Sequence, residues 1–399
     1  MRRTIFVVGA LAATLVACGN TRPPPSGPVD IAASGGHRAD TWRVIAKSPV
    51  KAGYGHKAVW TGREMIVWGG SRINRETFES ISVRDGAGYN PRTDSWRVIP
   101  AAPIPGGSGY SVLWTGDEMI VWGDPRRGRA STGNIGAAFD PTTNEWRRIA
   151  SDPLSGRADH FAAWTGEEMI VWGGHLTASN RERYDGKGAA YNPDTDTWRV
   201  LPRSPLPAGY GAMGAWTGTE VIVMASPMGI EASDYPKFAE AAAYDPSTNS
   251  WRQLPRPPQV AYVEPPAAYL DGKLILLSLG GQVDGGEVDG YDRSYETGGI
   301  FDVRSDQWRS HSAPPSRPDQ RWPQIALDDE VVIDGLSYDP ADDSWRVLPR
   351  FPLGAREFPV MVWTGKELIV WGGAKLATGN VHVDPPPARN TGAAYTPSK

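Results

Sequence analysis
The chain has 399 residues, 22% charged and 40% hydrophobic, with a formal net charge of −4, a size that suits two average domains or one large repetitive one. Its Gly 46, Pro 36 and Trp 17 break up long helices and favour many short strands, which excludes an all-helical bundle. The mildly acidic balance lacks the basic footprint of phosphate-backbone binding, which excludes nucleic acid as a partner. The lone Cys18 leaves the body without a disulfide, a cysteine-based metal site or a Cys nucleophile.

At the N-terminus, Met1-Arg2-Arg3 supplies a positive start and Ile5 to Val16 an almost unbroken apolar run, well short of the roughly 20 residues that span a bilayer. The run ends in Leu15-Val16-Ala17-Cys18, which resembles the lipobox of bacterial lipoproteins, in which the Cys thiol receives a diacylglycerol and becomes the new N-terminus. The resemblance implies a signal peptide over 1–17, lipidation at Cys18 and attachment to the outer face of a bacterial membrane. Arg2-Arg3 also resembles a twin-arginine export signal. Residues 18–39, with Pro23-Pro24-Pro25 and Pro28, read as an extended tether. The folded domain is expected over 40–399.

From residue 40 onward three short motifs recur in fixed order. An apolar strand ends in Trp-Thr-Gly at Trp60, Trp114, Trp164, Trp216 and Trp363, with degenerate copies at Leu270 and Leu327. A strand such as Met65-Ile66-Val67-Trp68-Gly69-Gly70 follows at once. Then comes an aromatic residue with a Trp seven positions later: Tyr89/Trp96, Phe139/Trp146, Tyr191/Trp198, Tyr244/Trp251, Phe301/Trp308 and Tyr338/Trp345. Successive final tryptophans from Trp42 are 54, 50, 52, 53, 57 and 37 residues apart. A period near 50 predicts a β-propeller whose blades are four-stranded sheets, the Thr-Gly and Asn-Pro or Asp-Pro turns joining first to second and third to fourth strands.

These units resemble kelch repeats, with a double glycine closing the second strand at Gly69-Gly70, Gly173-Gly174, Gly280-Gly281 and Gly372-Gly373. The pattern departs at Gly123-Asp124, Ala225-Ser226 and Asp334-Gly335. The registers are offset: Trp42 precedes any first motif, and Tyr395 has no Trp after it. The expectation is therefore an all-β kelch-type propeller of seven four-stranded blades, closed by the N-terminal strand near 40–45 pairing with strands from 358–396. Six blades is the alternative if the 37-residue unit is not a full blade.

The long connections, near 71–87, 124–137, 175–189, 226–242, 282–299 and 374–391, all emerge on one face, which makes that face the expected working surface. Candidate binding residues at its channel mouth are His56, Tyr110, Arg157, His160, Tyr210, Arg321 and Arg356 on the lead-ins, and Arg72, Arg126, His175 and Lys375 after the double glycine. Such side chains offer donors and flat faces to a carboxylate or sugar. Trp322 is the one tryptophan outside the repeat positions, and so the candidate for ligand stacking. His56 and His160 share the place four before the first-motif Trp. That suggests a metal pair, but the other copies are Tyr110, Ala212, Pro266, Pro323 and Pro359, so packing is preferred and no metal is assigned. The acidic run from Asp284 to Asp292 lacks EF-hand spacing.

Kelch propellers include galactose oxidase, whose radical cofactor needs a Cys that this body lacks, and the cofactor-free N-acetylneuraminate epimerase. Most are binding modules. The function expected is a lipid-anchored, monomeric recognition module of the cell envelope, binding a protein or glycan and needing no cofactor. A cofactor-free sugar or sialic acid isomerase with an Arg/His site, and a purely architectural envelope protein, are the alternatives.

Overall fold
The computed structural model describes residues 40–51, 53–74, 79–124, 133–177, 184–227, 240–257, 267–277, 299–315, 322–375 and 387–398, without the side chains of residues 210, 211, 226 and 227. The described strands form seven four-stranded antiparallel sheets and three two-stranded ones. Blade 1 is built of Lys57–Trp60, Met65–Trp68, Gly86–Asn90 and Ser95–Ile99, paired in that order from the axis outward. The innermost strands of the other blades are Tyr110–Trp114, Phe161–Trp164, Gly209–Trp216, Ala268–Leu270, Ile325–Ala326 and Val360–Trp363. Each touches the next, and Val360–Trp363 returns to Lys57–Trp60, which closes the ring.

The 37-residue unit is a full blade, with strands Ile325–Ala326, Val331–Ile333, Leu336–Asp339 and Ser344–Val347. It is short because a turn at Asp334-Gly335 replaces the long connection between its middle strands. Blade 7 closes as the offset registers require. Thr41–Val44 pairs with Gly392–Thr396, placing Trp42 opposite Tyr395 and reassembling the third motif from the two ends of the chain. Closure of this kind leaves no open edge between first and last blade.

The second strands are buried on both faces, Met65–Trp68 and Leu368–Trp371 completely so, which is why they read as continuous apolar runs rather than alternating ones. The core consists of seven apolar clusters, one in each seam between neighbouring blades. No blade buries its own faces, so stability comes from blade packing on blade. Third strands are built of Gly and Ala where space is short: a Cβ on Gly88 would sit 2.2 Å from the Glu64 carboxylate.

Two polar ladders tie these seams. Every final Trp donates its indole N–H to a backbone carbonyl of the preceding blade, Trp42 to Pro349 at 2.8 Å, Trp96 to Ala46 at 2.7 Å and Trp198 to Ala150 at 2.9 Å. In every blade but the fifth, the Arg after that Trp grips the Glu at the end of the turn between first and second strands of its own blade, as Arg199 does with Glu168 at 2.9 and 2.5 Å. It then reaches the next blade, where Arg199 donates to the Tyr244 hydroxyl at 2.8 Å. Each pair is partly exposed and individually modest, but its two-point geometry is specific and recurs around the ring. In blade 7 Arg43 grips Glu367 in the same way, and where Arg346 of blade 6 reaches across to blade 7 it meets Asp40, which accepts from it at 2.6 Å and from the Ser398 backbone N–H at 2.7 Å.

Candidate functional site
Antiparallel blades put the end of the second strand, the start of the third and the lead-in to the first on one face, and the tight Thr-Gly and Asn-Pro turns on the other. The lead-ins of blades 1, 3 and 7 pair with the start of the long connection that follows the double glycine. In blade 1 Tyr54 bridges Ser71. In blade 3 Arg157 pairs with Leu176 and Ala158 with His175, which also bridges Tyr184. In blade 7 Arg356 pairs with Lys375 and Glu357 with Ala374, which bridges Ala388. Close backbone approach forces the double glycine: a Cβ on Gly373 would lie 2.6 Å from the Glu357 carbonyl.

Several lead-in candidates belong to the frame rather than to an open site. Arg157 is fully buried and donates to the carbonyls of Ser155, Gly173 and Lys187 and to the Asp185 carboxylate at 3.0 Å. Arg356, 2% exposed, does the equivalent in blade 7, donating to the Gly372 and Thr391 carbonyls at 2.7 Å, with its guanidinium over the Phe351 ring. Burial lowers the pKa of both guanidinium groups, that of Arg356 to about 10. Each holds the first glycine of its blade's pair in place.

His56 and His160 are buried in seams, edge-on to Trp371 at 5.3 Å and to Trp122 at 4.7 Å. Burial, helped by nearby cations, pushes the first down to about 4 and the second to about 3, so both rings are neutral. Tyr110 is buried against Trp68, its hydroxyl donating to the Pro105 carbonyl at 2.8 Å, and burial raises its pKa, with the Asp124 charge adding to the effect. Trp322 is corrected most sharply: 4% exposed, it packs edge-on to Trp42 and Phe351 at the seam of blades 6 and 7, so no ligand can stack on it.

Of the remaining candidates, Arg72 is half-buried and 3.4 Å from Asp85, His175 lies edge-on to Tyr184 at 5.4 Å, and Lys375 is exposed. Arg126, Arg321, the Asp284 to Asp292 run and Cys18 lie outside the described residues, as does the side chain of Tyr210.

One residue on this face was missed by the reading for chemistry. The position five before the first-motif Trp is left-handed in the three blades with these ladders, φ 65 at Gly55, 55 at Asp159 and 50 at Phe358. Gly and Asp suit that conformation. An aromatic residue there costs roughly 1–2 kcal/mol, and Phe358 is also 61% exposed. Aligning the lead-ins across repeats would have singled it out.

The two faces differ in charge. The turn face carries acids such as Asp117, Glu167, Asp194, Asp245, Asp302 and Asp342. Exposed cations Lys47, Lys51, Arg84, Arg350, Lys375 and Arg389 sit on the long-loop side of blades 6, 7 and 1.

Fold and repeat chemistry together define the class: a closed seven-bladed propeller with one tight-turned and one long-looped face. The model of the KLHDC2/KLHL20/DRC7 Kelch-repeats domain matches residues 55–269, more than half of the chain. The chain belongs to the kelch-repeat family. No curated protein matches it. Kelch propellers generally mediate protein interactions, so the fold carries the general function of a protein-binding module.

Proposed function
We propose that the chain is an exported recognition module, attached to the bacterial cell envelope through a lipid on Cys18, that holds an envelope protein or glycan on its long-loop face. The observation that carries this reading is the placement of the chain ends. Asp40 and Ser398 are hydrogen-bonded to each other where the other blades have their turn between third and fourth strands, so both ends leave from the turn face. A lipid at Cys18 and a tether over 18–39, which reaches about 70 Å when extended, then enter from the side opposite the long connections. The working face is left free to meet a partner. Residues 1–17 are the cleaved signal in this reading.

The test labels cells with an alkyne fatty acid. Label on the wild type and its loss, with release from the membrane fraction, in Cys18→Ala is expected; label retained in C18A overturns the anchor. Photo-crosslinking residues placed at His175 and Lys375 should capture a partner, and residues placed at Asp117 and Glu167 on the turn face should not. The reverse pattern overturns the assignment of the working face.

A further inference from the structure
We infer that Phe358, together with Lys375 and Arg389, forms a docking site for a protein segment that carries an apolar side chain among carboxylates. This inference rests on the reading that the long-loop face holds a protein partner, and it names the sector and the chemistry. Phe358 combines two features that the free protein has no use for: it is 61% exposed, and it holds a left-handed conformation that its counterparts fill with Gly55 and Asp159. Among the described residues no packing covers the ring, whereas an apolar partner side chain laid on it would bury it.

The ring is presented by a rigid frame. Immediately before it, Arg356 and Glu357 are buried and pair with Lys375 and Ala374, and the Arg389 backbone N–H donates to the Gly373 carbonyl at 2.8 Å. A preorganised aromatic loses little freedom on binding, and aromatic residues are enriched at interface cores that carry a polar rim. The rim here is positive. Lys375 and Arg389 are exposed on this ladder, while Glu357, the acid beside the ring, is 7% exposed. Charge complementarity therefore selects an acidic segment. At the corresponding places blade 3 has Asp159 and Leu176, so that blade lacks the site.

The test uses the whole chain and short synthetic peptides in which Phe, Leu or Trp is flanked by Asp and Glu, with charge-reversed peptides as the comparison, read by fluorescence polarisation. The acidic set should bind and the reversed set should not. Phe358→Asn and Lys375→Glu should each weaken binding by about tenfold or more, F358N without lowering the unfolding midpoint. Asp159→Asn should leave binding unchanged. Equal binding by F358N, absence of peptide binding, or preference for the reversed set overturns the inference. So does Phe358-dependent binding to phosphatidylglycerol vesicles, or Phe358-dependent self-association in sedimentation, which would give the anchor to a lipid surface or a second copy. Acidic peptides that bind independently of Phe358 but crosslink at His175 sink this inference and leave the working face standing. Crosslinks confined to Asp117 and Glu167 sink both.

Discussion
Blades 3 and 7 share one lead-in design and differ in what they display on it. Both bury an Arg, Arg157 or Arg356, that grips the first glycine carbonyl of the pair. Around that common clamp, blade 3 has Asp159, His160, His175 and Tyr184, and blade 7 has Phe358, Pro359, Ala374 and Ala388. A residue type repeated at one repeat position is therefore explained by the frame, even when it is a cation at a channel mouth. Residues that differ between equivalent positions are where a surface has been individualised. The blades also differ in covalent continuity: the fourth strand of blade 3 follows its third through a turn, whereas that of blade 7 comes from the other end of the chain.

The largest expected effect tests that continuity. Trp42→Ala and Trp198→Ala remove equivalent indoles and their inter-blade bonds, and each should cost about 3–5 kcal/mol in chemical denaturation. The first should speed amide exchange of its own strand, residues 41–44, more than the second speeds that of residues 197–200, because no turn joins residues 41–44 to their sheet. Equal exchange in both variants would mean that closure adds no local weakness. Next, Arg157→Ala leaves buried carbonyls and Asp185 without their donor and should cost about 3 kcal/mol. Lys375→Ala, exposed in blade 7, should stay within about 0.5 kcal/mol.

Acid should separate the blades through His160, whose counterpart Pro359 does not titrate. The unfolded chain protonates its histidines below about 6.5, while folded His56 stays neutral to about 4 and His160 to about 3. The unfolded state thus binds more protons as pH falls from 6.5 towards 4, and stability should drop by about 1.4 kcal/mol per pH unit for each of the two. Denaturation curves across that range should show the slope, and His160→Phe should remove one histidine's share. A steeper loss below about 4 belongs to carboxylates such as Asp94, Asp196 and Asp343, whose pKa values are lowered by their Tyr and backbone donors despite some burial. The smallest effect is a gain: Phe358→Asn should stabilise by about 0.5–1 kcal/mol through relief of the left-handed backbone, whereas Asp159→Asn should be neutral.

Much of the fold was legible in the residues. The recurrent aromatic-to-Trp spacing marks the outer hairpin of each blade because its turn has a constant length and the two rings lie side by side, 5.0 Å apart for Tyr89 and Trp96. The Arg and Glu ladder was equally present, in every Trp-Arg pair and in the Glu that ends most Thr-Gly turns, but no local pattern distinguishes a two-point ion pair from solvated turn charges. The site was far less legible. Trp322 stood out as the tryptophan without a repeat position, yet it fills the seam where Trp42 arrives from the far end of the chain. His56 and His160 stood out as a pair, yet one blade lies between theirs and each faces a tryptophan of the blade before it.

By itself, the sequence determined the repeat, the strand order within a blade and the closure of the ring, because these follow from local pairing repeated at a fixed period and from the offset between Trp42 and Tyr395; that the 37-residue unit is a full seventh blade came from the structure. Only the tertiary structure decided which polar residues face solvent. Each lead-in lies in a seam between two blades, so its exposure depends on a neighbour roughly a repeat away, or at the opposite end of the chain, and no local pattern encodes that neighbour's shape.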